Sequence, residues 1–207
     1  MNKLAQSLKS WKVIPFIEIE HRSHIEPLAH LLIEARLPAI EVSLRSKTAK
    51  DAIRALAQIK GLHIGASALC SEHELDLALQ LGASFCVSLA FLPSLSAYAI
   101  SHNLPLMPHI ETAGDVLAAA HARHRVQKLF PANLIGGMDR LNAFAPLFPD
   151  IRFVASGGIG YKQIPSYLAL PNVIACAGSF LADKAELEAK KWHIIRQRLK
   201  NILALAG

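Results

Sequence analysis

The stretch "AIEVSLRSKTAKDAIRALAQIKGLHIGASAL", residues 39–69, holds one full structural beat. "AIEVSL" (39–44) is a short apolar run of β type. "DAIRALAQI" (51–59) repeats apolar residues at the i, i+3/i+4 spacing of an amphipathic helix. "HIGASAL" (63–69) is again of β type. A strand, a helix and a second strand in this order make a βαβ unit, whose strands run parallel.

The beat recurs on both sides. "VIPFIEIE" (13–20) precedes it, and "FCVSLA" (85–90), "PLMPHI" (105–110), "VQKLFPA" (126–132), "RFVASGG" (152–158) and "VIACAG" (173–178) follow. Helical stretches such as "EHELDLALQL" (72–81) lie between them. Eight such units, at roughly 20–25 residues each, predict a closed α/β (β/α)8 TIM barrel. An open doubly wound sheet is the alternative, and it normally uses fewer strands. The reading is one domain over residues 1–207: an extra N-terminal helix in 1–12, barrel strands within 13–181 and a C-terminal helix over 182–207.

Composition agrees with one globular domain. The chain has 207 residues, 52% of them hydrophobic and 18% charged, too apolar to be disordered. No apolar run reaches the roughly 18 residues of a membrane span. "MNKLAQSLKSWK" has no long apolar core, so it is not read as a signal peptide, and cytoplasm is the expected location. Cys70, Cys86 and Cys176 form no CxxC pair and read as buried small hydrophobes in a reducing compartment. Net charge is +6. No basic run or aromatic platform points to nucleic acid, so the positive field is read as suited to an anionic small substrate. "KKWHIIRQRLK" (190–200) reads as the solvated face of a terminal helix.

Chemistry in such barrels sits at the C-terminal ends of the strands. Alternation along "AIEVSLR" puts Ile40, Val42 and Leu44 toward the helices, and Ala39, Glu41, Ser43 and Arg45 toward the lumen. Glu41 and Arg45 could form a mutually satisfied buried pair. They could equally belong to a polar pocket, and "RVQKLFPAN" (125–133) favours the pocket. It sets Lys128 in an apolar run, where an ammonium is costly unless paired or chemically employed. An amine kept neutral by a dry site and a nearby cation attacks carbonyls. Glu41 would move protons and Arg45 would grip a carboxylate. The set suits Schiff-base chemistry on a 2-oxo acid. "ASGGIG" (155–160) and "AGSF" (177–180) end the seventh and eighth strands, where barrels commonly bind phosphate on bare N–H groups.

On these stretches the chain resembles the 2-keto-3-deoxy-6-phosphogluconate (KDPG) / 4-hydroxy-2-oxoglutarate aldolase family, class I aldolases. The match runs from about Val13 to Leu181 through "VIPFI", "IEVSLRS", "IGASAL", "LPLMPHI", "KLFPA", "IRFVASGGI" and "VIACAGSFL". The resemblance implies a lyase of the Entner–Doudoroff pathway, free of cofactor and metal, assembled as a homotrimer. Its implied substrates are a phosphorylated 2-oxo sugar acid and pyruvate. It also implies that Lys128 forms the Schiff base, Glu41 is the general acid/base and Arg45 binds the carboxylate. Ser156, Gly157, Gly158, Gly178 and Ser179 fall on the phosphate-binding turns.

Departures cluster at strand ends. The family's G-A-G-T is Gly65-Ala66-Ser67-Ala68 here, so the Thr hydroxyl is missing and Ser67 is the candidate replacement. The lost bond would cost about 1–3 kcal/mol. Its S-P-G is Ser88-Leu89-Ala90, and its P-G is Pro108-His109. Glu18 stands where relatives carry an apolar residue or an arginine, and Asn133 where they carry an acid. Glu18, Ala68 and His109 are therefore candidate pocket-modifying residues. The plain alternatives are that His109 packs over a neighbour and Glu18 pairs with a cation. A shifted 2-oxo-acid substrate, or a catalytically weakened phosphate-binding barrel, are the rival functions. His121 and His124 in "HARHR" have no third ligand partner and read as a solvated helix end.

Overall fold

Eight parallel strands pair in sequence order, and β8 closes onto β1, in the computed structural model, which describes residues 3–206. The order is α1 (Lys3–Trp11), β1 (Val13–Ile17), α2 (Ile25–Ala35), β2 (Ala39–Ser43), α3 (Ala49–Leu56), β3 (His63–Leu69), α4 (Glu72–Gln80) and β4 (Phe85–Ser88). It continues with α5 (Pro93–Ser101), β5 (Leu106–Ile110), α6 (Ala113–His121), β6 (Val126–Leu129), α7 (Gly137–Leu147), β7 (Arg152–Ser156), α8 (Ile164–Leu168), β8 (Val173–Gly178), α9 (Lys184–Glu188) and α10 (Trp192–Ala206). The seam is set by Val13 beside Cys176 and Ile14 beside Ala177. The expected (β/α)8 barrel is the observed fold, and residues 1, 2 and 207 lie outside the described residues.

Local sequence explains where helices begin. Ser71 caps α4 by accepting from the Glu74 N–H, 3.2 Å away. Thr112 with Asp115, and Asp183 with Glu186, form reciprocal capping boxes on α6 and α9. The segment read as one C-terminal helix over 182–207 is two helices. The chain turns at Lys190 with φ +53°, which ends the first helix before Trp192 starts the second. Its basic face is partly paired: Arg198 bonds Glu186 at 2.5 and 2.7 Å, and Arg196 bonds Glu34 at 3.1 Å.

Strand alternation divides the core into two clusters. Ile40, Val42, Ile64, Cys86, Leu129 and Phe153 pack outward against the helices. Ile14, Ala39, Phe85, Val87, Met107, Val126 and Val154 fill the lumen, joined by Ala5, Leu8 and Trp11 of α1. α1 thus plugs the N-terminal end of the barrel, with Trp11 centred 5.8 Å from Phe85. The fully buried Phe85 side chain is worth about 1.5–3 kcal/mol of transfer free energy. It fits because residue 65 is glycine: a Cβ there would lie 2.3 Å from the ring. With that end filled, the lumen's polar groups are confined to the other end.

Candidate active site

Parity along β6 decides where Lys128 goes. Val126 and Lys128 face the lumen, and Gln127 faces outward, its Nε2 donating to the carbonyls of Val116 and His124. On β2 the same rule brings Glu41 inward behind Ala39. The two meet across the barrel: Lys128 Nζ donates to Glu41 Oε1 at 2.5 Å. Their side chains are 2% and 1% exposed. The other carboxylate oxygen, Glu41 Oε2, is buried with no partner among the described residues.

An unpartnered buried acceptor costs about 1–3 kcal/mol. A pair kept for stability would satisfy both oxygens, because desolvating two charges already offsets most of their attraction. The pair is therefore a poor structural device and a suitable chemical one. The Glu41–Arg45 pair, one reading of the sequence, does not form. Arg45 is exposed in the turn after β2, where its N–H donates to Ser43 Oγ at 3.3 Å. Its guanidinium makes no ion pair with a described residue and stands at the rim of the mouth.

Two turns at the ends of β7 and β8 expose backbone. Gly157 and Gly158 have φ of +94° and +69°, left-handed values open to glycine. A Cβ on Gly157 would lie 2.7 Å from both Phe130 and Pro131, so the turn packs directly on the segment that follows Lys128. Asn133 fastens the same junction. Its N–H donates to Gly157 O at 3.0 Å, and its Oδ1 accepts from Gln163 and Tyr167. Among the described residues, the N–H groups of Gly157, Gly158 and Ser179 donate to no protein acceptor. Ser156 is buried and Ser179 is exposed. Gly178, the last residue of β8, is half-buried beside them.

The opposite rim is made of side chains. Ser67 is buried on the lumen face, with its Oγ 3.5 Å from Val42 O. Ala68 sits in a bulge of β3 at φ +66°. Ser88 Oγ is occupied by Ala90 O at 2.7 Å. His109 lies beside Lys128 in strand register and stacks on Phe130, with ring centroids 5.0 Å apart and planes 14° apart. Its Nδ1 is 3.3 Å from Leu89 O. A carbonyl only accepts, so Nδ1 carries the proton and Nε2 keeps a lone pair. Nε2 is buried and unpartnered. Burial, then the charge of Lys128, pushes the His109 pKa down to about 3, so the ring is neutral. Packing on Phe130, expected as the plain alternative for His109, is observed. Glu18 is exposed just past β1, and no described cation pairs with it.

Other sequence expectations change. His124 is not a solvated helix end: it is 5% exposed and holds Ser96 Oγ at 2.7 Å, because the chain turns inward after α6. Of the three cysteines expected to be buried, Cys70 is exposed, whereas Cys86 and Cys176 are buried thiols whose pKa is pushed up to about 12 by desolvation. Among the described residues, no group of three or more His, Cys, Asp or Glu is placed to hold a metal ion. Sequence reading gave Phe130 and Asn133 no positioning role. The only signal was their place directly after the lysine strand.

A closed (β/α)8 barrel with an amine–carboxylate pair in its lumen and glycine turns on β7 and β8 defines a class: barrels built for amine chemistry on anionic substrates. Comparison narrows it. The family profile described as "Aldolase: KDPG and KHG aldolase" matches residues 4–198. The 2-dehydro-3-deoxy-phosphogluconate aldolase of Pseudomonas aeruginosa is 34% identical over 182 residues, 87% of this chain and 83% of that one. The 2-keto-3-deoxy-6-phosphogluconate aldolase of Zymomonas mobilis ZM4, solved with 3-phosphoglycerate, superposes with a TM-score of 0.90 at 28% identity, covering 98% and 95% of the two chains. The KDPG aldolase of Legionella pneumophila, solved with pyruvate captured as a covalent carbinolamine, gives 0.89 at 26% identity, covering 96% and 97%. The chain belongs to the KDPG and KHG aldolase family.

Proposed function

We propose that this protein is a class I aldolase that reversibly cleaves 2-keto-3-deoxy-6-phosphogluconate to pyruvate and glyceraldehyde 3-phosphate. The observation that carries the reading is the buried Lys128–Glu41 pair with Glu41 Oε2 left open. Passing the shared proton to Glu41 frees the Lys128 lone pair. The amine attacks the C2 carbonyl, and Glu41 returns a proton as water leaves, giving an iminium. Glu41 then takes the C4 hydroxyl proton. The C3–C4 bond breaks, its electron pair enters the iminium as an enamine, and the aldehyde departs. Protonation at C3 and hydrolysis release pyruvate and restore the amine. Arg45 holds the C1 carboxylate at the rim, assisted by Ser67. The substrate phosphate lies on Ser156, Gly157, Gly158, Gly178 and Ser179, where the open N–H groups of Gly157, Gly158 and Ser179 suit an anion.

The same reading places the protein in the cytoplasm and in the Entner–Doudoroff pathway, as a homotrimer. Family membership is what supports the pathway and the trimer. No helix among the described residues is long and apolar enough to cross a membrane.

One observation favours a second reading, a related 2-oxo acid in place of KDPG. The His109 ring occupies the mouth beside Lys128 with its Nε2 unpartnered, and Ala68 offers no hydroxyl. A panel of KDPG, its galactonate epimer and 4-hydroxy-2-oxoglutarate, followed by pyruvate release, separates the two. Highest kcat/KM on KDPG supports the first reading, and highest on either other compound supports the second. Binding of sugar phosphates with no pyruvate from any compound would overturn both and leave a phosphate-binding barrel.

A further inference from the structure

We propose that His109 selects the aldehyde half of the substrate, its Nε2 accepting a hydrogen bond from the hydroxyl on C5. This rests on the aldolase reading above, in which C5 becomes the carbon next to the aldehyde once the C3–C4 bond breaks. The site would then take aldehydes that carry a hydroxyl beside the carbonyl.

Strand parity places the ring. Met107 fills the lumen, so His109, two residues on, faces the lumen as well. It pairs in register with Lys128, and the two side chains stand side by side. The ring is held at two points. It stacks on Phe130 with centroids 5.0 Å apart, and its Nδ1 donates to Leu89 O at 3.3 Å. Nε2 is left as an acceptor with a fixed direction. Burial keeps the ring neutral, so that lone pair stays available. Nε2 is buried and has no donor among the described residues. The donors of the lumen and rim are engaged elsewhere: Ser67 Oγ with Val42 O, Ser88 Oγ with Ala90 O, and Lys128 Nζ with Glu41 Oε1. A buried acceptor without a partner is unfavourable. Packing on Phe130 needs only an aromatic ring, and a phenyl group would supply it with no unpaired nitrogen. The nitrogen therefore points to a donor that arrives with the substrate.

Barrel order says which part of the substrate that donor belongs to. Arg45 follows β2, and the glycine turns follow β7 and β8. In the closed order β2 and β8 flank β1, and β5 lies opposite β1. A substrate with its carboxylate on Arg45 and its phosphate on the glycine turns keeps both anions away from β5. What faces β5 is the middle of the chain, whose polar groups are hydroxyls. Glu41 takes the C4 hydroxyl proton, which leaves the C5 hydroxyl for His109. A lone pair accepts from a hydroxyl and repels a carboxylate. The site therefore favours glyceraldehyde 3-phosphate, which carries that hydroxyl, over glyoxylate, which carries a carboxylate in its place.

Aldol addition with saturating pyruvate tests this. D-glyceraldehyde is compared with 3-hydroxypropanal, which lacks only the hydroxyl beside the aldehyde. kcat/KM on each is measured in wild type, His109→Leu and His109→Gln, with folding verified by circular dichroism. The preference for glyceraldehyde should fall about tenfold in His109→Leu, the worth of one hydrogen bond. It should largely return in His109→Gln, whose amide oxygen is again an acceptor. A ring that only packs on Phe130 would slow both aldehydes alike and leave their ratio unchanged. Equal ratios in wild type and His109→Leu, or no recovery in His109→Gln, would overturn the proposal and leave the aldolase reading standing. A folded wild type that forms no borohydride-trapped pyruvate adduct on Lys128 would overturn the aldolase reading and the proposal with it.

Discussion

The two halves of the barrel mouth are built differently. Over β7 and β8 the rim is backbone: glycines at φ +94° and +69°, open N–H groups, and no room for a Cβ against Phe130 and Pro131. Over β3 to β5 the rim is side chain: Ala68 in a bulge, Ser88 turned onto Ala90, and His109 stacked on Phe130. The first half tolerates no side chain at Gly157, because a Cβ there displaces the segment that follows Lys128. The second half changes side chains without moving the frame. In our reading the β7–β8 rim holds the phosphate of a phosphorylated substrate, and the β3–β5 rim selects among the 2-oxo acids. Between them lies the Lys128–Glu41 pair, on which both depend.

The largest effects fall on that pair. Lys128→Met removes the nucleophile and should take pyruvate release below detection. It also strands Glu41 in the lumen, at about 3–5 kcal/mol of stability. The double variant Lys128→Met/Glu41→Gln should regain much of that stability in urea unfolding and none of the activity. Glu41→Gln alone should cost about 10²- to 10⁴-fold in kcat, measured by coupled pyruvate reduction.

Next come the two rims. Gly157→Ala should lower the unfolding midpoint and raise KM for phosphorylated substrate, since the new methyl meets Phe130 and Pro131 at 2.7 Å and φ is left-handed. His109→Gly should leave stability nearer wild type and shift the ranking within the substrate panel. If both variants changed selectivity alike, the division between a fixed rim and a selective rim would fail.

His109 also has a pH signature. Its folded pKa of about 3 lies below the ordinary value near 6.5. The unfolded chain therefore binds a proton there before the folded protein does. The stability contributed by keeping the ring neutral is full above pH 6.5 and declines as pH falls toward 3, at no more than about 1.4 kcal/mol per pH unit. His109→Gln should show a shallower loss of stability between pH 7 and pH 5 than wild type in matched urea melts.

The smallest effect is at Ala68. A non-glycine residue at φ +66° carries local strain. Ala68→Gly should stabilise the protein by up to about 1 kcal/mol, read as a shift in urea midpoint.

The barrel was legible because period and count agree: eight β-type runs alternate with helical stretches, and side-chain parity alone sends Lys128 and Glu41 into one lumen. Strand ends were less legible. "VQKLFPA" reads as strand to residue 132, yet β6 stops at Leu129, because the chain leaves the sheet to meet Gly157. That approach joins residues distant in sequence, and no local pattern encodes it. The break at Lys190 was hidden by amphipathic periodicity on both sides of it. The partner of Glu41 was ambiguous for a related reason. Arg45 is four residues away in sequence, but the barrel brings Lys128 closer.

The most direct measurement is borohydride reduction in the presence of pyruvate, followed by intact mass and peptide mapping. The account predicts one reduced pyruvyl adduct per chain, on the peptide containing Lys128, and none in Lys128→Met. A folded wild-type protein that forms no adduct, or forms it on another lysine, would contradict the claim that the Lys128–Glu41 pair is the reaction centre.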